Sequence, residues 1–283
     1  MEDLNFAPPP RSPIYDPAVA LAFFKSAGTA ERVAQGSSFF SENEKSSGFF
    51  SKGAKMYLLL DGQVSLTVGK KVIGTVGTGE IFGEMASIAH MARSATAVAK
   101  TACNVISMDD KQFRKAIEKA PDFALMLMSI IIDRLRQAIA RLTGDTVLSD
   151  DETLSRRSVF DKKVLADLER EFEGHPPFHA PKHKVILTEG EVGAYMYVIL
   201  EGRVAVSVKG RIIEQIGPGG VLGEMALVDK SPRIATATAE TDCTLLSINR
   251  RDFLVFVKTK PDFSLSLLKA LAERLRYVNS QFK

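Results

Sequence analysis

The stretch Met56–Val64 reads MYLLLDGQV, and Met196–Val204, which lies 140 residues further on, reads MYVILEGRV. Around this pair, Met56–Arg136 aligns with Met196–Arg276 without a gap, and about 30 of the 81 positions are identical. Solenoid proteins repeat at a period of about 20–50 residues, so this period is too long for one. The sequence therefore predicts two copies of one domain, here named the first copy and the second copy.

Each copy begins with short stretches in which apolar residues alternate with others. Val64–Val68 and Val204–Val208 are of this kind, and an Asp-Gly or Glu-Gly turn precedes each one, as is typical of antiparallel strands. After Phe113 and Phe253 the apolar residues recur every three or four positions, which indicates amphipathic helices. The predicted fold class is mainly β with α, with two double-stranded β-helix (jelly-roll-like) domains, each flanked by helices and ending in a long C-helix.

The repeat and the local composition also predict the domain limits. Short leading helices are expected over Asp16–Ser26 and Lys162–Glu173, with Asp16 as N-cap and Pro17 at the first helical position. About seven extra residues are expected in the first copy between Phe40 and Met56. The predicted segments are an N-terminal arm over 1–15, a first domain over 16–143, a linker over 144–160 and a second domain over 161–283.

Composition excludes several classes of protein. Hydrophobic residues make up 45% and charged residues 25% of the chain, and the formal net charge is +3, which is typical of a globular protein without a concentrated basic surface for nucleic acid. The longest apolar run, near Phe123–Ile132, is shorter than the roughly 20 residues of a membrane span, and no signal peptide is evident. A cytoplasmic protein without membrane association is expected.

Neither a metal nor a disulfide is predicted. His175, His179 and His183 are spaced by four, but prolines interrupt the segment, so a helical metal-binding face is not expected. Cys103 and Cys243 occupy matching positions in the two copies and are expected to be separate buried thiols. No catalytic residue and no cofactor is predicted, because no nucleophile–base pair or metal cluster is apparent.

One combination of residues in each copy carries recognisable chemistry: a Gly-Glu pair, followed nine residues after the Glu by an Arg. A helical turn after the glycine would point free N–H groups at an anion, and the guanidinium would supply a fork of donors for phosphate oxygens. A carboxylate so close to a phosphate is reasonable only if it accepts hydrogen bonds from sugar hydroxyls, so the combination suggests a ribose phosphate. The residues are Gly83, Glu84 and Arg93 in the first copy, and Gly223, Glu224 and Arg233 in the second.

The segments FGEMASIAHMARSATAVA, from Phe82, and LGEMALVDKSPRIATATA, from Leu222, resemble the phosphate-binding cassette of the cyclic-nucleotide-binding domain family. That family includes the bacterial catabolite activator proteins and the regulatory subunits of cAMP-dependent protein kinase. The resemblance implies that each Glu binds the ribose 2′-hydroxyl, that each Arg pairs with the cyclic phosphate, and that backbone amides complete the phosphate cradle. The binding residues so implied are Gly83, Glu84, Met85, Ala86, Arg93, Ser94, Ala95, Gly223, Glu224, Met225, Ala226, Arg233, Ile234 and Ala235.

The sequence indicates which base is bound less clearly than it indicates the phosphate site. Ser94 could bond a guanine amino group, as a Thr does there in cGMP-binding relatives, but cAMP-binding relatives also carry Ser, and Ile234 offers no side-chain hydrogen bond. Because the family covers the base with its C-terminal helix, the register implies Ala138 and Ile139 at the first site. It implies Val278 and Asn279 at the second. cAMP is preferred over cGMP as the expected ligand.

The expected function is that of a cyclic-nucleotide receptor that acts on an effector protein through movement of its C-helix. The apolar faces of the two long helices could pair within the chain or form a homodimer. DNA binding is not expected, since no helix-turn-helix follows the long helix; a truncated transcription regulator of the catabolite activator class is the alternative. A second alternative is that Glu and Arg form only an internal salt bridge, on a β-roll without ligand.

Overall fold

The computed structural model divides into two compact units, Met1–Leu127 and Met128–Lys283. The division falls inside a long helix and not in the predicted linker, which differs from the expected limit at residue 143. The predicted arm, apart from Tyr15, and most of the predicted linker lie outside the described residues. The structure describes residues 15–45, 54–142, 154–155 and 158–280.

The first unit contains a β-roll with helices before and after it. Its elements are α1 (Pro17–Ala27), β1 (Thr29–Val33), β2 (Ser38–Phe40), β3 (Met56–Asp61), β4 (Val64–Val68), β5 (Lys71–Val76), β6 (Ile81–Phe82), α2 (Glu84–Ala89), β7 (Thr96–Ala99), β8 (Cys103–Met108), α3 (Asp110–Ile117) and the start of α4 (Pro121–Leu142). Two antiparallel sheets, in the orders β1-β8-β3-β6 and β2-β7-β4-β5, enclose an apolar core. The predicted β-roll is confirmed for the first copy.

The second unit repeats this architecture. Its elements are the rest of α4, β9 (Leu154–Ser155), α5 (Lys162–Glu171), β10 (Phe178–Ala180), β11 (Val185–Leu187), β12 (Tyr195–Glu201), β13 (Val204–Val208), β14 (Arg211–Ile216), β15 (Val221–Leu222), α6 (Glu224–Asp229), β16 (Thr236–Ala239), β17 (Cys243–Asn249), α7 (Arg250–Thr259) and α8 (Pro261–Ser280). The sheet orders are β10-β17-β12-β15 and β11-β16-β13-β14-β9, with β9 parallel to β14. The fold class is as predicted.

Strand register shows how closely the two rolls correspond. Tyr57 is opposite Ser107 in the β3–β8 pair, and the residues 140 positions later, Tyr197 and Ser247, are opposite each other in β12–β17. Before β3 the correspondence shifts to 147 residues: both Val33 and Ala180 are opposite the cysteine of their own roll. The seven-residue excess in the first copy is thereby confirmed.

Local signals set the helix ends that bring the motifs into place. The Asp16 carboxylate accepts hydrogen bonds from the backbone of α1, with Pro17 at its first position, as predicted. Asp109 and Gln112 form a capping box at the start of α3, which stabilises the step from β8 into helix. Pro121 and Pro261 open the two long helices, where a missing N–H costs nothing.

Three predictions about classes of site can be compared with this fold. Cys103 and Cys243 are both buried free thiols, as expected. Within the described ranges, no three His, Cys, Asp or Glu residues are grouped so as to hold a metal ion. In the same ranges, no helix has the length and apolarity that a membrane crossing requires.

Candidate functional site

Each Gly-Glu pair lies at a sharp turn from a short strand into a short helix. Gly83 and Gly223 have φ angles of 75° and 79°, in the left-handed region that favours glycine, and they cap α2 and α6. A Cβ on Gly223 would lie 2.4 Å from Nη1 of Arg233, and a Cβ on Gly83 would lie 3.0 Å from Nη1 of Arg93. Glycine is therefore required twice over, for its backbone angle and for the close approach of the arginine.

The two arginines are buried and bind main-chain carbonyls. Arg93 Nη1 donates to the Gly83 carbonyl and Nη2 to the Lys55 carbonyl, both at 2.8 Å. Arg233 repeats this arrangement, with Nη1 donating to the Gly223 carbonyl at 2.5 Å and Nη2 to the Tyr195 carbonyl. The main chain of each arginine is also fixed by hydrogen bonds to the loop that precedes the motif.

The charge of these guanidinium groups is not neutralised by direct pairing. Among the residues that the structure describes, neither Arg93 nor Arg233 has a carboxylate in ion-pair contact, so the Glu–Arg salt bridge considered as an alternative is not formed here. Burial is the largest influence on both groups and lowers the pKa of each guanidinium, although nearby acidic groups partly offset it. A buried cation whose donors meet only neutral carbonyls favours an incoming anion.

Glu224 pairs with a different arginine. Arg274, on α8, donates through Nη1 to Glu224 Oε1 and through Nη2 to the Val221 carbonyl at 2.9 Å. Its Nε lies 3.3 Å from an oxygen of Glu214, on β14. Burial alone would lower the pKa of Arg274, but the two carboxylates outweigh it and raise that pKa. Helix α8 is thus tied to the start of α6 through a buried charged group.

The second motif opens into a cavity of about 90 Å³ within the second unit. Apolar side chains of the roll form most of the wall, and Leu135 and Ile139 of α4 and Tyr277 and Val278 of α8 close other sides. The predicted residues that meet at this cavity are Gly223, Glu224, Met225, Ala226, Arg233, Ile234, Ala235 and Val278. Asn279 is exposed and does not line this cavity.

Ile139 and Ala138 were expected to cover a base at the first site. Ile139 instead lines the cavity of the second unit, and Ala138 is buried in α4, which assigns this part of the helix to the second motif. The prediction for Ile139 was wrong because it assumed that each long helix packs on its own β-roll. Sequence periodicity defines which face of a helix is apolar, but not which partner covers that face.

The first motif has the same backbone conformation as the second, but larger side chains surround it. Phe40, Tyr57 and Phe82 stack on one another in the core of the first unit, and the Arg93 guanidinium lies 4.0 Å from the centre of the Phe40 ring. At the places of Phe40 and Phe82 the second unit has leucines, both of which line its cavity. Glu84, Ala86, Arg93 and Ala95 are buried, Met85 is half-buried and Ser94 is exposed.

Three charged residues of the second site were not predicted from the sequence: Arg136, Glu214 and Arg274. A signal for the two arginines was present, because Arg-Leu-Arg occurs at the same place in both long helices. Arginine is almost never fully buried unless it is paired, so an arginine on a helix that packs against a core predicts a charged or polar partner. Glu214 carried no such signal, since the first copy has Gly74 in its place and β14 is otherwise an ordinary strand.

Both motifs lie in segments that match a known protein family. The family model "cyclic nucleotide-binding domain" matches residues 31–120 and 177–260, together more than half of the chain. A cAMP-dependent protein kinase regulatory subunit of Eremothecium gossypii is 29% identical over 204 residues, covering 71% of this chain and 40% of that protein. A CRP-like cAMP-activated global transcriptional regulator of Mycobacterium tuberculosis is 30% identical over 138 residues, covering 46% of this chain and 60% of that protein.

Among solved structures, the regulatory domain of Toxoplasma gondii PKA with cAMP is 20% identical and matches 86% of this chain and 87% of its own, at a TM-score of 0.32. A score that low supports no inference about function. The chain spans less than two thirds of the length of the two curated relatives, so their activities as whole proteins do not follow for this chain. From the family match in both halves, this chain belongs to the cyclic nucleotide-binding domain family and carries two copies of that domain.

Proposed function

We propose that this protein is a receptor for a 3′,5′-cyclic nucleotide, with cAMP as the preferred ligand and the second motif as the principal site. The observation that carries the proposal is the meeting of Glu224 and Arg233 at one cavity, with the Arg233 charge buried and unpaired by a carboxylate among the described residues. The cyclic phosphate would accept from the Arg233 side chain and from the first N–H groups of α6. The ribose 2′-hydroxyl would donate to Glu224.

The preference for cAMP has two supports. Ile234 follows Arg233 and lines the cavity without offering a hydrogen bond to a guanine amino group. The two curated relatives described above are named for cAMP. The first motif keeps Glu84 and Arg93 in the same buried positions, and we propose it as a second, weaker site because its surroundings are filled by aromatic rings.

The output we propose is regulation of a partner protein through α8. Arg274 connects this helix to Glu224, so a ribose hydroxyl that binds Glu224 competes directly with the helix for the same carboxylate. Nucleotide binding would then change the position of α8, provided that the ligand binds one position of the helix more tightly than the other. In this proposal the protein is a cytoplasmic regulator and not an enzyme, and it uses no cofactor or metal.

Titration calorimetry of ligand-free protein with cAMP, cGMP and 5′-AMP tests the proposal. The expected result is binding of cAMP, weaker binding of cGMP and no measurable binding of 5′-AMP, whose doubly charged open phosphate does not fit a cradle for a ring phosphodiester. Absence of heat with both cyclic nucleotides contradicts the proposal. Tighter binding of cGMP overturns only the ligand preference. A gel shift with random duplex DNA, expected to be negative, tests the transcription-regulator alternative.

A further inference from the structure

The second half of α4 is fixed to the second phosphate-binding motif by one arginine. Arg136 forms a two-pronged ion pair with Asp229, the last residue of α6, with Nε–Oδ2 at 2.6 Å and Nη2–Oδ1 at 3.1 Å. Its third nitrogen, Nη1, donates to the Pro232 carbonyl at 3.0 Å, directly before Arg233. The Asp229 side chain is only 7% exposed and that of Arg136 is 21% exposed, so the contact is largely shielded from water.

This contact brings an apolar face of α4 against the cavity. Leu135 and Ile139 are four residues apart and therefore lie on one side of the helix. Both are buried, and both line the cavity that also contains Glu224 and Arg233. A flat purine base held between the ribose and the cavity wall would meet these two side chains.

The repeat shows that the residues of this contact differ between the two motifs. The residue 140 positions after Arg136 is Arg276, so both long helices carry an arginine at this place. The residue 140 positions before Asp229 is Ala89, which cannot accept an ion pair, and Ala92 stands where the second copy has Pro232. The arginine is therefore present in both copies, whereas the acid that pairs with Arg136 is replaced by alanine at the equivalent place of the first copy.

We propose that the second nucleotide site is built from both copies of the repeat. Helix α4, which belongs to the first copy by sequence, supplies an apolar wall for the base through Leu135 and Ile139. Arg136 is the positioning residue that holds this wall on the motif. The inference rests on the proposed function and adds to it that the affinity and base selectivity of the second site depend on a helix from the preceding repeat.

The test measures cAMP and cCMP binding in an Arg93→Ala background, so that only the second site reports. Arg136→Met keeps the aliphatic stem but removes the pair, and it is expected to weaken cAMP binding about 5- to 20-fold, as for a partly exposed ion pair that positions other contacts. Binding of cCMP is expected to weaken less, because its smaller pyrimidine base reaches less of the wall. The ratio of cAMP affinity to cCMP affinity therefore falls. Ile139→Ala should lower the same ratio, and Arg136→Lys should restore part of it.

Gln137→Ala, an exposed neighbour on α4, is the matched control and is expected to leave both affinities unchanged. Equal weakening of cAMP and cCMP in Arg136→Met would mean that the residue only supports the fold, and unchanged affinities would mean that α4 is not part of the site; either result overturns the inference. Should Arg136→Met fail to fold, the Ile139→Ala ratio decides alone. If the parent protein binds neither nucleotide, it is the proposed function that fails.

Discussion

Arg274 of α8 and Glu224 of the second motif form an enclosed ion pair, in which Nη1 of the arginine donates to Oε1 of the glutamate. Glu224 is 2% exposed and Arg274 is 8% exposed, and Glu214 supplies a second carboxylate on the other side of the guanidinium. One cation thus balances two buried acids, and the same cation links the last helix to the residue that would bind the ribose. We therefore expect the stability of the second unit and, under the proposed function, its response to a nucleotide to depend on the Arg274 side chain.

Replacement of Arg274 by methionine is expected to destabilise the second unit. Removing one member of a buried pair typically costs about 3–5 kcal/mol, because the remaining charge is left without a partner. Calorimetric unfolding of the variant should show a lowered transition for the second unit. Lys269→Met, on the exposed side of the same helix, is the control, and equal melting of the two variants would contradict the role assigned to Arg274.

Substitution of Gly223 by alanine separates backbone strain from close packing. Alanine at this position must adopt a left-handed backbone conformation, which costs about 1–2 kcal/mol. Its Cβ also displaces the Arg233 guanidinium. Gly210 has a similar φ of 81°, and a Cβ added there would meet nothing within 4 Å, so Gly210→Ala carries the strain alone. We expect Gly223→Ala to be the less stable variant and to lose at least about 10-fold in cAMP affinity, a loss of about 1.4 kcal/mol in binding.

Gly210→Ala is expected to bind cAMP like the parent protein. The difference between the two variants then measures what the close approach of Arg233 contributes. Equal affinities in both variants would show that the position of the guanidinium does not depend on Gly223.

Tyrosine titration offers a test of the first unit that needs no ligand. Burial raises the pKa of Tyr57 to about 12, although Arg93 partly opposes the shift, and burial likewise raises the pKa of Tyr15 to about 12. The folded-state pKa of each tyrosine lies above the ordinary value of about 10. The contribution of its buried phenol to the free energy of unfolding is therefore complete below pH 10 and is lost as the pH rises through 12. Tyr57→Phe should therefore lose less stability over this interval than the parent protein.

The measurement is ultraviolet absorbance of phenolate together with thermal unfolding at each pH. Tyr57→Phe is expected to remove one of the late-titrating groups from the absorbance curve. If the variant and the parent lose stability in parallel above pH 10, the Tyr57 phenol is not held in a buried environment.

The aromatic core of the first unit explains why we expect the first motif to bind cAMP more weakly than the second. Phe40→Leu with Phe82→Leu introduces the residue type that the second unit has at these two places. The double variant is expected to be less stable by about 1–3 kcal/mol, since core volume is lost, and to bind cAMP more tightly at the first motif. Calorimetry in an Arg233→Ala background isolates that motif, and an unchanged or weaker affinity would contradict the explanation.

Much of this architecture could be predicted from the sequence because the chain contains it twice. Strand alternation, the turn pairs and the Asp16 cap each indicate local structure, and the 140-residue repeat supports them independently. Both rolls and both motifs are therefore predictable from the sequence. The motif residues Glu224 and Arg233 could be identified because their chemistry is concentrated within ten positions of the chain.

Contacts between distant segments could not be predicted in the same way. Arg136 meets Asp229 across 93 residues, and Arg274 meets Glu224 across 50, and no local pattern encodes such pairs. The spacing of apolar residues predicts the apolar face of α4, but it does not predict that this face lines the cavity of the second unit. The register that the family resemblance implies places Asn279 at the base, whereas the last residue of α8 that lines the cavity is Val278.

Titration of ligand-free Arg233→Ala with cAMP, beside the parent protein and with Arg203→Ala as a surface control, decides whether the second motif is a nucleotide site. We expect Arg233→Ala to weaken the tighter binding event by two to three orders of magnitude, or about 3–5 kcal/mol, while Arg203→Ala has no effect. Arg93→Ala should remove only the weaker event. Undiminished cAMP affinity in the Arg93→Ala/Arg233→Ala double variant would show that neither motif binds the nucleotide.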